Sequence, residues 1–154
     1  NDVQALTIPM IGGNKKIPMD EIKIDYGQKW LNNHWRAIIS AYNKSPFFQY
    51  YEPYIHDILY ARHDSLLALN NELLTFCLKV LKIDTPIKYT SIYEKGPFNE
   101  TEDIRSVINP KSDYICRRFY TPIPYQQLFG SKFATNLSIL DLLSCVGPDA
   151  DNYL

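Results

Sequence analysis

The sequence lacks any long hydrophobic run, and its 3 cysteines are too scattered for a disulfide framework. No apolar stretch approaches the roughly 18 residues of a membrane-spanning helix, so no membrane span is expected. No signal-peptide pattern opens the chain. Cys77, Cys116 and Cys145 do not have the spacing of a zinc site. These absences predict a protein of the reducing cytoplasm.

An excess of charge of either sign is also absent. The chain carries 16 basic and 17 acidic residues, which leaves a net charge of −1 at pH 7. A protein that binds nucleic acid mainly through its phosphates usually has a basic excess, so nucleic acid is not expected as a partner. The residue present in surplus is tyrosine, with 12 copies. Tyrosine suits a polar-ligand pocket or an interface, and it also serves as ordinary core filling.

Both strand-like and helix-like patterns occur along the 154 residues. Residues 3–10, 17–26 and 87–93 have the alternation or the β-branched composition of strands. Residues 28–43, 66–81 and 137–145 carry apolar stripes at helical spacing. Between the first two of these helices, Pro53 is expected to break or reset a shorter helical stretch. The mixture predicts an α/β fold, with α+β as the alternative. We expect a single domain over residues 1–154, in which several helices pack on a mixed sheet.

Two polar residues stand within the strongest apolar stripes. Ser138 is a plausible helix cap, and Asp141 follows it in the first turn, where an acidic group suits the positive helix end. Asn70 falls on the predicted buried face between Leu66 and Leu73, so it needs a hydrogen-bond partner. That partner is either neighbouring backbone or a ligand. Asp141 is likewise either a helix-end residue or a site residue.

The candidates for chemistry are few. His34 lies beside the stripe of the first helix, and its ordinary pKa near neutrality suits either a general base or a partly buried structural histidine. Neither the histidines nor the cysteines have metal-ligand spacing, so no metal and no other cofactor is expected. Arg117 and Arg118 stand among aromatic residues. They could hold a phosphate or carboxylate, or they could simply be solvated.

Several short sequence motifs of this chain recur in one protein family, in the same order. They are Lys23-Ile24-Asp25-Tyr26, Trp30, His34-Trp35-Arg36, Ala41-Tyr42, Ser45-Pro46-Phe47-Phe48, Tyr50-Tyr51, Leu69-Asn70, Leu81-Lys82-Ile83-Asp84-Thr85, Tyr125-Gln126, residues 136–143 and Gly147-Pro148. In these motifs the chain resembles the WbqC-like family, whose members are encoded among bacterial O-antigen and other surface-polysaccharide genes. The resemblance covers essentially the whole chain. It implies that the sequence lacks the N-terminal segment of the family domain.

The resemblance also implies a role in surface-polysaccharide biosynthesis. One hypothesis is a transferase that adds an amino-acyl group such as glycine, or another acyl group, to a nucleotide-linked or lipid-linked sugar. An activated amino acid would be the donor. A non-catalytic binding or assembly protein of the same pathway is the alternative, and a homo-oligomer is left open.

Under the transferase hypothesis, His34 and Asp141 are the predicted catalytic residues, with His34 as the base. The predicted substrate-binding residues are Arg36, Asn70, Tyr125 and Gln126. Convergence of His34, Asn70 and Asp141 on one pocket would favour the enzyme. Their dispersal, or their packing in apolar core, would favour the binding protein.

Overall fold

The computed structural model describes residues 3–12, 17–90, 92, 95 and 121–154. In these ranges the chain forms four α-helices: α1 (Trp30–Tyr42), α2 (Phe48–Tyr60), α3 (Leu66–Val80) and α4 (Ile139–Val146). Short 3-10 helices occupy Met19–Glu21 and Gly147–Tyr153. No helix among these residues is long and apolar enough to cross a membrane.

The predicted α/β or α+β fold with a mixed sheet is wrong, because the described ranges contain helices and no strand. Extended backbone pairs only at one antiparallel bridge, between Met10 and Ile24. Pro9 and Pro18 flank this bridge and have no N–H to donate, and Met19–Glu21 coils into a 3-10 turn. The alternating segments therefore meet, but their ladder cannot extend.

The third predicted strand, residues 87–93, is also not formed in its described part. Residues 87–90 have no regular structure and are exposed, and the predicted strand then runs into residues outside the described ranges. No strand among the described residues pairs with residues 87–90, and β-branched composition alone does not make a sheet.

The helices agree more closely with the sequence pattern. The helices predicted over residues 28–43, 66–81 and 137–145 are confirmed as α1, α3 and α4. Ser65 caps α3 by accepting a hydrogen bond from Ala68 N at 3.1 Å, and Ser138 caps α4 through Leu140 N at 3.3 Å. The prediction that Pro53 breaks or resets the helix is wrong, because α2 continues through it. Pro53 is exposed, so the carbonyl that it leaves without a donor can meet water.

Helix α2 is the centre of the packing, because it contacts α1, α3 and α4. One buried cluster gathers Ile24, Trp30, Ile55, Ile58, Leu59 and Leu69. A second gathers Leu81, Leu142, Leu143 and Ala150. Tyr51 and Phe76 pack against both clusters and join them. The backbone N–H of Phe47 donates to Ser144 O at 3.0 Å, which ties the start of α2 to α4. These contacts tie α4 to the rest of the core.

Candidate functional site

Asp141 is the most unusual side chain of the described core, since it is a carboxylate with 0% exposure. Asp141 lies in the first turn of α4, next to Leu142 and Leu143. Because these two leucines pack in the core, this side of the helix faces inward and Asp141 is buried with them. Tyr125 Oη donates to Asp141 Oδ2 at 2.6 Å, and Gln127 Nε2 donates to the same oxygen at 2.9 Å. These three residues are called the Asp141 cluster below.

Gln127 is the member of the Asp141 cluster that the sequence prediction missed. It is 7% exposed, and besides Asp141 it pairs with the backbone of Ala134 in both directions. Its Nε2 donates to Ala134 O at 2.9 Å, and its Oε1 accepts from Ala134 N at 2.8 Å. Side chains two apart in an extended segment point the same way. That rule would have paired Tyr125 with Gln127 instead of Gln126.

Burial and the Asp141 charge both act on the groups around the cluster. Burial, and then the hydrogen bond to Asp141, raise the pKa of Tyr125 well above its ordinary value of 10.0. The same causes, burial first and the Asp141 charge second, raise the pKa of Tyr42 to about 12 and the pKa of the Cys145 thiol to about 11. Near neutral pH these groups therefore stay protonated. Tyr125 can donate a proton or a hydrogen bond, but it cannot act as a base.

Part of this polar region is unsatisfied. Asp141 Oδ1 and the Ser144 hydroxyl are buried and have no hydrogen-bond partner among the described residues. An unmade hydrogen bond at a buried polar atom costs about 1–3 kcal/mol. A carboxylate that served only to fasten the chain would be expected to use both oxygens. The free oxygen therefore marks the Asp141 cluster as a candidate site.

His34 has a separate environment. It lies on α1, is 8% exposed, and meets the Trp30 ring edge-on with centroids 5.0 Å apart. His34 Nε2 lies 3.1 Å from Thr7 O. A carbonyl only accepts, so Nε2 carries the proton and Nδ1 keeps a lone pair without a partner among the described residues. Burial lowers the pKa of His34, and the bond to Thr7 only partly opposes this. Near pH 7 the imidazole is therefore neutral and can accept a proton.

The structure brings together only some of the predicted residues. Tyr125 and Asp141 are in direct contact. His34 shares no hydrogen-bond or ring partner with Asp141 in the described ranges, because its partners are Thr7 and Trp30. These two predicted catalytic residues thus belong to different contact groups.

The other predicted binding residues lie at the surface. Arg36 is exposed on α1, and Asn70 is exposed on α3 instead of on its buried face. Gln126 is exposed as well, and its Nε2 donates to Gln127 O at 3.1 Å. Asn70 therefore needs no internal partner, which removes the reason given above for treating it as a buried ligand contact. Arg117 and Arg118 lie outside the described residues.

Within the described ranges, no group of three or more His, Cys, Asp or Glu side chains could hold a metal ion. An open depression of about 400 Å³ lies beyond the end of α3, lined by Thr75, Leu78, Lys79, Ile83, Asp84, Thr85 and Ile87. None of the predicted site residues lines this depression.

Comparison with known proteins gives a family and one relative. The model of the WbqC-like protein family matches residues 1–110. An uncharacterized protein of Mycobacterium tuberculosis is 28% identical over 178 residues, covering 99% of this chain and 76% of the relative. No solved structure matches the chain significantly.

Proposed function

Because the chain belongs to the WbqC-like protein family, we propose that it takes part in bacterial surface-polysaccharide (O-antigen) biosynthesis in the cytoplasm. The family match over residues 1–110 is the observation that carries this proposal. The near-neutral charge is compatible with a sugar-linked substrate and gives no support to a nucleic-acid partner.

The proposed activity is transfer of an amino-acyl group such as glycine, or of another acyl group, to a nucleotide-linked or lipid-linked sugar. In this reaction a sugar amine or hydroxyl attacks the carbonyl carbon of the activated donor and gives up its proton. A new C–N or C–O bond forms, the bond to the leaving group breaks, and the leaving group departs with the electron pair. The proton must first go to a base and can then be returned to the leaving group.

His34 suits the role of that base better than Asp141 does. Its imidazole is neutral, the Thr7 carbonyl fixes its tautomer, and Nδ1 has no partner in the part of the chain that the structure describes. Asp141 is fully buried, so its proposed catalytic role requires the surrounding chain to move. Arg36 and Gln126 are exposed and therefore available to position a substrate.

A non-catalytic binding or assembly protein of the same pathway is the second candidate. It is favoured by the lack of shared partners between His34 and Asp141 within the described ranges. A catalyst of the proposed kind would be expected to gather these groups around one substrate.

A transfer assay separates the two candidates. UDP-N-acetylglucosamine is offered as the sugar, glycyl adenylate or acetyl-CoA as the donor, and mass spectrometry detects glycyl or acetyl sugar. His34→Gln keeps an N–H for Thr7 but has no basic nitrogen, so it should lower the rate about 10²-fold or more. His56→Gln is the matched control, because His56 lies half-exposed on α2 and should not matter.

Three outcomes are informative. Transfer that depends on His34 and not on His56 supports the enzyme. No transfer, together with a melting temperature that rises with UDP-N-acetylglucosamine, supports the binding protein. No transfer and no shift with any sugar or donor contradicts both candidates.

A further inference from the structure

The structure points to a movable strap over Asp141: we infer that residues 125–134 lift away from α4 as a unit and thereby open the polar core around Asp141. The inference deepens the proposed function, since it explains how a fully buried catalytic carboxylate would meet a substrate. The opening itself is a property of the folded chain. It can be measured with no substrate present.

The strap is a closed loop. Gln127 and Ala134 hold its two ends together through hydrogen bonds of 2.9 and 2.8 Å. A segment closed on itself in this way keeps its shape when it leaves its support. Gly130, within the loop, has a φ of +80°, which allows the tight turn that closure requires.

Few polar contacts fasten the strap to α4. Tyr125 and Gln127 both donate to the single oxygen Asp141 Oδ2, and the backbone of Leu128 hydrogen-bonds to the Cys145 thiol. Aromatic contacts add to these, with the Tyr125 and Tyr153 ring centroids 5.8 Å apart. The hydrogen bonds converge on two neighbouring turns of α4. Beyond them the strap is held by ring and apolar contacts, including Phe129 against Tyr42 of α1, with ring centroids 6.3 Å apart.

A hinge stands between the strap and α4. Asn136 has a φ of +59°, in the left-handed region that asparagine tolerates better than most residues. It directly precedes the cap of α4, where Ser138 holds the first turn independently of the strap. The strap can therefore rotate at Asn136 without unwinding the helix.

The covered atoms favour opening. Asp141 Oδ1 and the Ser144 hydroxyl have no partner among the described residues while the strap is closed. Of these two groups, the strap contacts the Asp141 carboxylate directly, so lifting it gives water or a substrate amine or hydroxyl access to Oδ1. The closed state thus lacks interactions that the open state gains, and the difference in free energy between the two is reduced.

Cys145 provides a reporter within the native chain. Its thiol lies under the strap, next to Leu128 and Ser45, and burial raises its pKa to about 11. Iodoacetamide reacts with the thiolate, so the covered thiol should be slow to react and the uncovered one faster. Cys77 is the internal reference, because its half-buried thiol lies on α3, outside the strap.

The experiment measures iodoacetamide labelling of Cys145 and Cys77 by peptide mass spectrometry, at urea concentrations below the unfolding transition. We expect the labelling rate of Cys145 to be nearly independent of urea, because lifting a strap exposes little surface. Tyr125→Phe removes one donor to Asp141 and leaves the Gln127–Ala134 bonds in place, so it should raise that rate about tenfold, which corresponds to about 1.4 kcal/mol. Gln127→Ala removes the bond to Asp141 together with both bonds that close the loop, so it should raise the rate at least as much. The rate of Cys77 should not change.

Gln28→Ala is the matched control. Gln28 Nε2 donates to Asp25 Oδ2 at 2.9 Å, the same length as the bond from Gln127 to Asp141, but it lies far from the strap in the chain. This variant should leave both labelling rates unchanged. If Gln127→Ala does not fold, Tyr125→Phe serves instead, since it keeps the ring contacts and removes only one donor.

Labelling of Cys145 that rises with urea as steeply as global unfolding would overturn the strap, as would equal acceleration of Cys77 in the strap variants. Neither result bears on the transfer assay. A strap that opens in a protein without transferase activity contradicts the proposed function alone. Transfer by a protein whose strap stays shut contradicts the strap alone.

Discussion

Replacement of Asp141 by alanine tests whether the Asp141 cluster stabilises the fold. The change removes the acceptor of two hydrogen bonds, from Tyr125 at 2.6 Å and Gln127 at 2.9 Å. Hydrogen bonds to a charged group contribute about 1.5–3 kcal/mol each, so the loss is about 3–6 kcal/mol. Removal of the unpartnered Oδ1 returns about 1–3 kcal/mol. Mid-range values of about 4.5 kcal/mol lost and about 2 kcal/mol returned leave an expected net loss of about 2.5 kcal/mol, a large share of the roughly 5–15 kcal/mol that stabilises a domain.

The assay is urea unfolding followed by circular dichroism, in which a lower midpoint at an unchanged slope reports lost stability. Tyr125→Phe and the double variant complete a cycle, and the coupling between Tyr125 and Asp141 should be about 0.5–3 kcal/mol. Asp151→Ala is the control, because Asp151 is exposed. A loss below about 0.5 kcal/mol for Asp141→Ala, the size of an ordinary surface change, would refute the reasoning.

Three further changes test other parts of the structure. Gly147→Ala should lower stability by about 2–4 kcal/mol in thermal melts, because Gly147 has a φ of +68° and an added Cβ would collide with the Phe47 ring. Stability should fall above about pH 10 in urea titrations, since unfolded tyrosine ionises there while burial raises the pKa of Tyr42 to about 12; Tyr42→Phe should make this fall shallower. His34 acts in the opposite direction: burial lowers its pKa, so its contribution is present above about pH 6.5 and is lost as the pH falls, and His34→Gln should remove that dependence in the same titrations.

The sequence predicted the helices well because each depends on a local signal. Residues 66–81 carry a repeating apolar stripe, and the observed helix is Leu66–Val80. The prediction of a sheet was wrong because the formation of a sheet depends on tertiary pairing between strands. The alternation in residues 3–10 and 17–26 is real, but prolines and a 3-10 turn limit the pairing to the bridge between Met10 and Ile24. Periodicity reports which side of a segment is apolar, and it does not report whether a neighbouring strand exists.

The site residues also divide into features with a local sequence signal and features that depend on tertiary contacts. Tyr125 and Asp141 are 16 residues apart and meet only in three dimensions, so their contact was not visible in any spacing. Asn70 was predicted to lie on the buried face of α3 because the apolar stripe of that helix was taken to be wider than its buried face is. Leu69 is fully buried, whereas Leu74, which shares the helix face of Asn70, is 47% exposed. The buried side of α3 is therefore centred one residue earlier than its leucines suggest.

The two proposed catalytic groups differ in when they are available, and this difference can be tested. Under our proposals, His34 does not depend on the strap, since its partners among the described residues are Thr7 and Trp30, but Asp141 becomes accessible only when the strap lifts. Loosening the strap with Gln127→Ala should therefore change the rate of transfer only through Asp141. In an Asp141→Asn background, which removes the charge but keeps the shape, the same loosening should have no effect on the rate. An equal effect of Gln127→Ala in both backgrounds would show that the strap acts on catalysis by a route that does not pass through the carboxylate.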